Sequence, residues 1–324
     1  MNRVNLAPVK LVKREERLSM QETREIIPEG VRMIGAPEMW EKENKGQGVV
    51  IAVLDSGCDT RHPDLQDRII GGHNFTIEGE NDQDYSDYHW HGTHVAGTIA
   101  ANHNGKGLIG VAPEANLLIL KVLMLHNCDK QGGSVGFVNW ITEAIRYAIA
   151  WRGPNGEKVR IISMSIINES EENEEILAMH HAIQDAIKEN IIVIACAGNA
   201  SKDCGPEGDE RSYPGFFPEV VSVASVNLDK TFPCRSTNSQ IDLAAPGENI
   251  ISTIPGGETA TASGCSMAVP HVAGATALII NQCEKEFGRK LTEAEIYAQI
   301  IKRTVSLGYD KRIEGNGLLL LSKE

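Results

Sequence analysis

The sequence predicts an α/β fold: a doubly wound, mostly parallel sheet with helices on both faces, built as one main domain. Two patterns carry this prediction. Short apolar, β-branched runs recur at 49–54, 117–122, 159–164, 191–196 and 220–226. Strands covered on both faces read as unbroken apolar runs, whereas half-exposed strands alternate. Between the runs lie amphipathic stretches: 138–151 puts Ile141, Ile145, Ala148 and Ile149 on one face, and 174–189 does so with Ile176, Ala182, Ile183 and Ile187. Strands alternating with helices of this kind argue for a parallel sheet wound on both sides.

In chain order, residues 1 to about 30 are charged and weakly periodic up to Pro28-Glu29-Gly30, an extension with little core of its own. The run 49–54 ends on Asp55, and Ser56-Gly57 turns the chain away at a carboxyl strand end, where sites assemble in open α/β sheets. Residues 78–89 are acidic, and Asp82, Asp84 and Asp87 read as a solvated loop. His91-Gly92 then opens a small-residue helix, 91–101, whose Ala96, Gly97 and Ala100 permit close packing on the sheet. Asn199 follows the run 191–196 in Ala197-Gly198-Asn199. Ser266 begins a second small-residue helix, 266–280, whose first turn sets backbone N–H groups and a positive dipole beside the hydroxyl. After Leu291, Thr292 and Glu295 fit a capping box.

Size and composition narrow the function classes. The chain has 324 residues, 41% hydrophobic and 23% charged, which is ordinary for a globular protein and too apolar for disorder. Its 31 basic against 44 acidic residues leave a net charge of −13, with no basic stripe to neutralise phosphates or anionic lipid. Neither a nucleic-acid nor a membrane partner is expected. The charged N-terminus has no apolar h-region, and the longest apolar runs are too short to span a bilayer. Seven cysteines at 58, 128, 196, 204, 234, 265 and 283 form an odd set without metal-type spacing, which suits free thiols in a reducing cytoplasm.

Four groups at element ends carry chemistry. Ser266 alone is a weak nucleophile; neutral His91 would accept its proton, and Asp55 would orient the imidazole and stabilise the imidazolium. The Asn199 amide and the Ser266 N–H would hold the oxyanion that forms on an attacked carbonyl. Each residue alone has a blander reading, as a cap, a satisfied polar group or a turn former. Their joint occurrence in the order Asp…His…Ser favours the catalytic reading.

Leu54-Asp55-Ser56-Gly57, Asp59-Thr-Arg-His-Pro-Asp-Leu65, His91-Gly-Thr-His-Val-Ala-Gly97, Gly110-Val-Ala-Pro113, Ala197-Gly198-Asn199 and Ser263-Gly-Cys-Ser-Met-Ala-Val-Pro-His271 resemble the motifs of subtilisin-type serine proteases, for which that residue order is characteristic. The resemblance runs from about Gly30 to the C-terminus. Cys58, Ile34-Gly-Ala-Pro-Glu-Met-Trp40, Ile70-Gly71-Gly72, Glu314-Gly-Asn-Gly317 and the lack of a signal peptide resemble the intracellular subtilisins of Bacillus and relatives. The resemblance implies a subtilisin-like single catalytic domain, a triad of Asp55, His91 and Ser266, and Asn199 as oxyanion donor. It further implies a cytoplasmic endopeptidase acting on proteins or peptides, and a homodimer.

Several finer expectations follow from the resemblance alone. Residues 1–25 would be an inhibitory extension lying across the site of a peptidase domain 26–324, with Leu6-Ala-Pro-Val9 matching the family's blocking motif and Pro8 bending the strand. Substrate would lie by strand addition between Gly132, Gly133 and Ser134 on one side and Ser165, Ile166 and Ile167 on the other. A structural calcium ion would use Asp64 and Asn104, oxygen donors suited to a hard cation.

The family pattern breaks at three places. Cys265 replaces a threonine credited with helping the oxyanion, and could itself be a nucleophile at a helix N-terminus. Ile167 and Asn168 carry side chains where the family has pocket glycines, and residues 124–130 are inserted before the other wall. These departures motivate two alternatives: a pseudoprotease on the same fold, and a processing peptidase of narrow specificity with a reshaped pocket.

Overall fold

The computed structural model describes residues 3–6, 10–15, 25–42, 44–126, 133–169, 171–199, 209–233 and 237–322. Strands β1 (Arg3–Leu6) and β2 (Lys10–Glu15) come first, then the short helices α1 (Glu29–Met33) and α2 (Ala36–Trp40). Strands β3 (Val50–Asp55) and β4 (Ile69–Asn74) precede α3 (His91–Ala100). Next are β5 (Asn116–Lys121), β6 (Leu123–Leu125), β7 (Ser134–Phe137), α4 (Val138–Ala150), β8 (Val159–Met164), β9 (Ile166–Ile167) and α5 (Glu174–Lys188). Strands β10 (Ile192–Cys196), β11 (Val221–Val226), β12 (Leu243–Pro246), β13 (Ile250–Ile254) and β14 (Glu258–Ser263) lead to α6 (Cys265–Phe287) and α7 (Glu293–Lys302). The chain closes with β15 (Thr304–Val305), α8 (Lys311–Glu314) and β16 (Leu318–Leu319).

The central sheet runs β15-β16-β12-β11-β10-β8-β3-β5-β4 and is parallel throughout except at the β15–β16 edge. Its two faces are built from alternate residues of the same strands. On β3, Ile51 and Val53 pack with α3 and α6, while Val50, Ala52 and Leu54 pack with α4 and α5. Burial on both sides is why these strands read as unbroken apolar runs. All five expected strands form, with ends that differ by one residue at most. Asp55 belongs to β3 itself, because its backbone still pairs with Lys121 of β5.

The helix at Ser266 is longer than expected: it runs from Cys265 to Phe287 and stops at Gly288, whose φ of +65° suits a glycine. Pro270 sits in its second turn. A proline has no N–H, so the Ser266 carbonyl loses its donor four residues ahead; the Ser165 hydroxyl supplies one instead at 2.9 Å. The capping box at Thr292 and Glu295 forms as expected.

The N-terminal segment, whose composition promises little core of its own, joins two sheets through its described strands. Strand β1 lies antiparallel between β7 and β9 in a sheet of order β6-β7-β1-β9, and β2 pairs antiparallel with β14 beyond β13. Val4 is 1% exposed within the cluster that holds Val138, Ile141 and Ile166. Hydrogen bonding to free strand edges, together with this one buried side chain, holds a segment whose composition promised little.

Candidate active site

The Asp55–His91 pair is built by one close approach. The carboxyl end of β3 turns at Ser56-Gly57, and α3 starts against that turn. A Cβ on Gly92 would collide with the Gly57 carbonyl oxygen, so glycine beside His91 is what lets helix and turn touch. Ser56 Oγ accepts from Gly92 N–H at 2.9 Å, which ties the residue after Asp55 to the residue after His91. In this frame His91 Nδ1 lies 2.8 Å from Asp55 Oδ1, with both side chains buried. The Ser56 N–H also donates to Asp55 Oδ1 at 2.7 Å.

Trp90 at the helix N-cap makes no side-chain cap. The orphan N–H groups of the first turn are met from elsewhere in the chain. Asp87 Oδ2 accepts from the Thr93 N–H at 2.9 Å and from the Thr93 hydroxyl at 2.6 Å, while Asp87 Oδ1 accepts from Ser56 Oγ at 2.9 Å. Asp87 is therefore buried, and its expected place in a solvated loop is corrected; Asp82 does stay exposed. Burial raises the Asp87 carboxyl above its usual range, while the Thr93 bonds and the nearby Lys121 charge pull the other way. Lys121 is wholly buried: its Nζ donates to the Ser56 carbonyl at 2.5 Å, pairs with Glu78 at 2.9 Å and lies 5.3 Å from the centre of the Tyr88 ring. Sequence reasoning missed Ser56, Asp87 and Lys121. The available signal was Lys121 itself, a lone charge inside an apolar run.

Ser266 stands in the first turn of α6, fully buried. Its hydroxyl donates to the Ser165 carbonyl at 3.2 Å, with the Cys196 thiol 3.9 Å away. Among the described residues His91 Nε2 has no hydrogen-bond partner, so serine and histidine stand unjoined in this conformation. Asn199 sits at the same helix end, where its Oδ1 accepts from the Cys265 N–H at 3.3 Å and the amide NH2 forms the other end of the group. The Cys265 thiol points into the sheet and donates to the Val223 carbonyl at 2.8 Å, which occupies it away from an oxyanion.

Strand β1 pairs with β7 on one side and β9 on the other. On one side Ser134 begins β7, its hydroxyl donating to the Met124 carbonyl at 3.0 Å, and the Gly133 carbonyl accepts from His126. On the other, Ser165 precedes β9, which contains Ile166 and Ile167, both buried. Arg3, Val4 and Asn5 face Phe137, Gly136 and Val135, while Asn5 and Leu6 face Ile167 and Ile166. Gly132, residues 7–9 of the expected blocking motif and residues 127–130 of the insertion lie outside the described residues.

Asp64 and Asn104 each accept from a backbone N–H of the loop after α3. Asp64 Oδ2 accepts from the Leu108 N–H at 3.0 Å, and Asn104 Oδ1 accepts from the Lys106 N–H at 3.2 Å. Burial raises the Asp64 carboxyl. Among the described residues no three His, Cys, Asp or Glu side chains group as metal ligands, and no helix is long and apolar enough to cross a membrane.

A buried Asp–His pair, a serine at a helix N-terminus and an amide next to that serine are the groups a serine hydrolase uses. Comparison with known proteins specifies which. The sequence model of the subtilase family matches residues 46–317. An intracellular serine protease of Paenibacillus polymyxa is 48% identical over 99% of this chain and 91% of its own. The major intracellular serine protease of Bacillus subtilis strain 168 is 47% identical over 91% of this chain and 88% of its own, and a subtilisin of Bacillus pumilus is 38% identical over 79% and 85%. The chain belongs to the subtilase family and is a subtilisin-type serine endopeptidase.

Proposed function

We propose that this chain is a cytoplasmic endopeptidase, made as a zymogen whose own N-terminal segment occupies the substrate channel. Ser266 attacks the peptide carbonyl, His91 takes and returns the proton, Asp55 holds the imidazole, and Asn199 with the Ser266 N–H steadies the oxyanion. Residues 1–25 act as the inhibitory segment and 26–324 as the peptidase domain. The names of the intracellular relatives support the compartment.

One observation carries the latency: β1 pairs on both edges with the strands beside Ser165 and Ser134, and His91 and Ser266 are fully buried. A substrate adding as a strand would need those same backbone groups. For attack, Ser266 Oγ must leave the Ser165 carbonyl and turn to His91 Nε2. Hydrolysis of a peptide anilide by the full chain and by the chain lacking residues 1–25 tests the reading. At least a tenfold rise in rate is expected on removal, and equal rates would count against latency.

Reshaped specificity is supported by β9 and its continuation, where Ile167 and Asn168 bring buried side chains to a wall that glycines would leave open. A calcium ion at loop 102–108 is the remaining expectation. The donor chemistry suits it: a buried Asp64 carboxylate, the Asn104 amide oxygen and loop carbonyls. The Leu108 and Lys106 N–H groups now hold two of those oxygens, so binding would have to exchange them. If the ion binds, calcium raises the melting temperature of the parent and not of Asp64→Asn; the same curve with calcium and with chelator removes the ion from the account.

A further inference from the structure

Asn168 stands where β9 ends, and its position is fixed by its own backbone. Its N–H donates to the Tyr213 carbonyl at 2.7 Å and its carbonyl accepts from the Tyr213 N–H at 2.9 Å. The residue is 3% exposed, so its side chain is committed to one direction. That direction is toward β1: Nδ2 donates to the Arg3 carbonyl at 2.6 Å. A glycine at this position offers no such donor.

The register says what the Arg3 carbonyl stands for. Leu6 faces Ile166, and the residue before Ile166 is Ser165, whose carbonyl holds the nucleophile's hydroxyl. A substrate strand in the same register puts its reacting end beside Ser165. The Asn168 amide then meets the carbonyl three residues N-terminal to the residue at Leu6. That group belongs to the backbone, so the contact reads length and main-chain polarity whatever the side chain.

We propose that Asn168 is a specificity-determining residue that binds a substrate main-chain carbonyl upstream of the bond cleaved, favouring substrates that extend far enough to present it. The proposal rests on the reading of β1 as the occupant of the substrate channel. The neighbouring Val4, 1% exposed in its apolar cluster, supports the same alignment, since the carbonyl at issue is the one just before that anchor.

The test uses the full chain carrying Val4→Asp, which puts a charge into the buried cluster and dislodges β1. The substrate is the anilide of Val-Asn-Leu-Ala, the sequence of residues 4–7, with its N-terminus either free or acetylated. The acetyl group adds the carbonyl at issue with a single methyl and removes the terminal charge. With Asn168 in place, acetylation is expected to raise kcat/KM about fivefold, the worth of one neutral hydrogen bond. With Asn168→Gly the gain falls below about twofold on the same scale. With Asn168→Asp the preference reverses, because a carboxylate repels the carbonyl and attracts the free ammonium.

An acetyl effect of the same size and sign in all three proteins overturns the proposal. Equal peptide hydrolysis by the Val4→Asp and parent chains overturns the occupancy of the channel by β1. In that case the acetyl ratio, measured on the parent and its Asn168 variants, still decides the role of Asn168.

Discussion

Asp87 does more for the Asp55–His91 pair than its acidic surroundings suggest. It accepts from Thr93 twice and from Ser56 once, so it joins the residue after Asp55 to the first turn of the helix that begins with His91. Asp87→Ala removes a cap from α3, at a cost of about 1–2 kcal/mol in stability, and frees His91 to drift from Asp55. We expect a lower melting temperature and a fall of about tenfold in kcat/KM, since small misplacements of a base are expensive. Loss of stability with unchanged kcat/KM would reduce Asp87 to a cap. Local sequence could not show this role. An aspartate in Asp84-Tyr-Ser-Asp87 looks solvated, and only Ser56, Thr93 and Lys121, brought in by the fold, make its burial tolerable.

At the scale of elements, legibility followed locality. Five strands of the central sheet, β3, β5, β8, β10 and β11, and helices α4 and α5 could be read from apolar runs and period, because each of those signals lies within its own element; β4, β12 and β16 could not. The continuation of the α6 helix to Phe287 was missed because its last turns are polar and face outward, Lys285 and Glu286 among them. The pairing of β1 with β7 and β9 was illegible in the residues themselves, since its partners lie more than 120 positions away, as the Arg3–Phe137 pairing shows; only the family resemblance placed a segment across the site.

Helix α3 also meets β13 and β14 through His94, whose Nε2 donates to the carbonyls of Ile250 and Ala260 at 3.1 and 3.2 Å. Protonation would put a second proton on His94 Nδ1, which is buried without a partner among the described residues. Desolvation accordingly holds this histidine at about 3, and His271 at about 4, both below the ordinary 6.5. Below pH 6.5 the unfolded chain takes up protons that the folded chain refuses. Stability from these two groups is complete above pH 6.5 and is lost as the pH falls toward 4 and then 3. The melting temperature should drop over that window, and His94→Gln, which keeps an N–H donor without titrating, should flatten the slope. An unchanged slope in His94→Gln would locate the acid sensitivity elsewhere.

Across the whole molecule, a rigid sheet wrapped on both faces sets three carboxyl-end segments beside one helix terminus, and β1 pairs between β7 and β9. The placement of Asp55, His91, Asn199 and Ser266 at or beside element ends was legible, each inside a distinctive local sequence. Their present separation into an Asp–His pair and a serine turned toward Ser165 was not, because it depends on side-chain orientation that local sequence does not set. The most direct measurement is labelling with a fluorophosphonate probe, followed by mapping of the modified peptide. Label is predicted on Ser266, absent from Ser266→Ala, and at least tenfold faster in the full chain carrying Val4→Asp than in the parent. No label in any form, or label that persists in Ser266→Ala, would contradict a Ser266 nucleophile held latent by its own N-terminal strand.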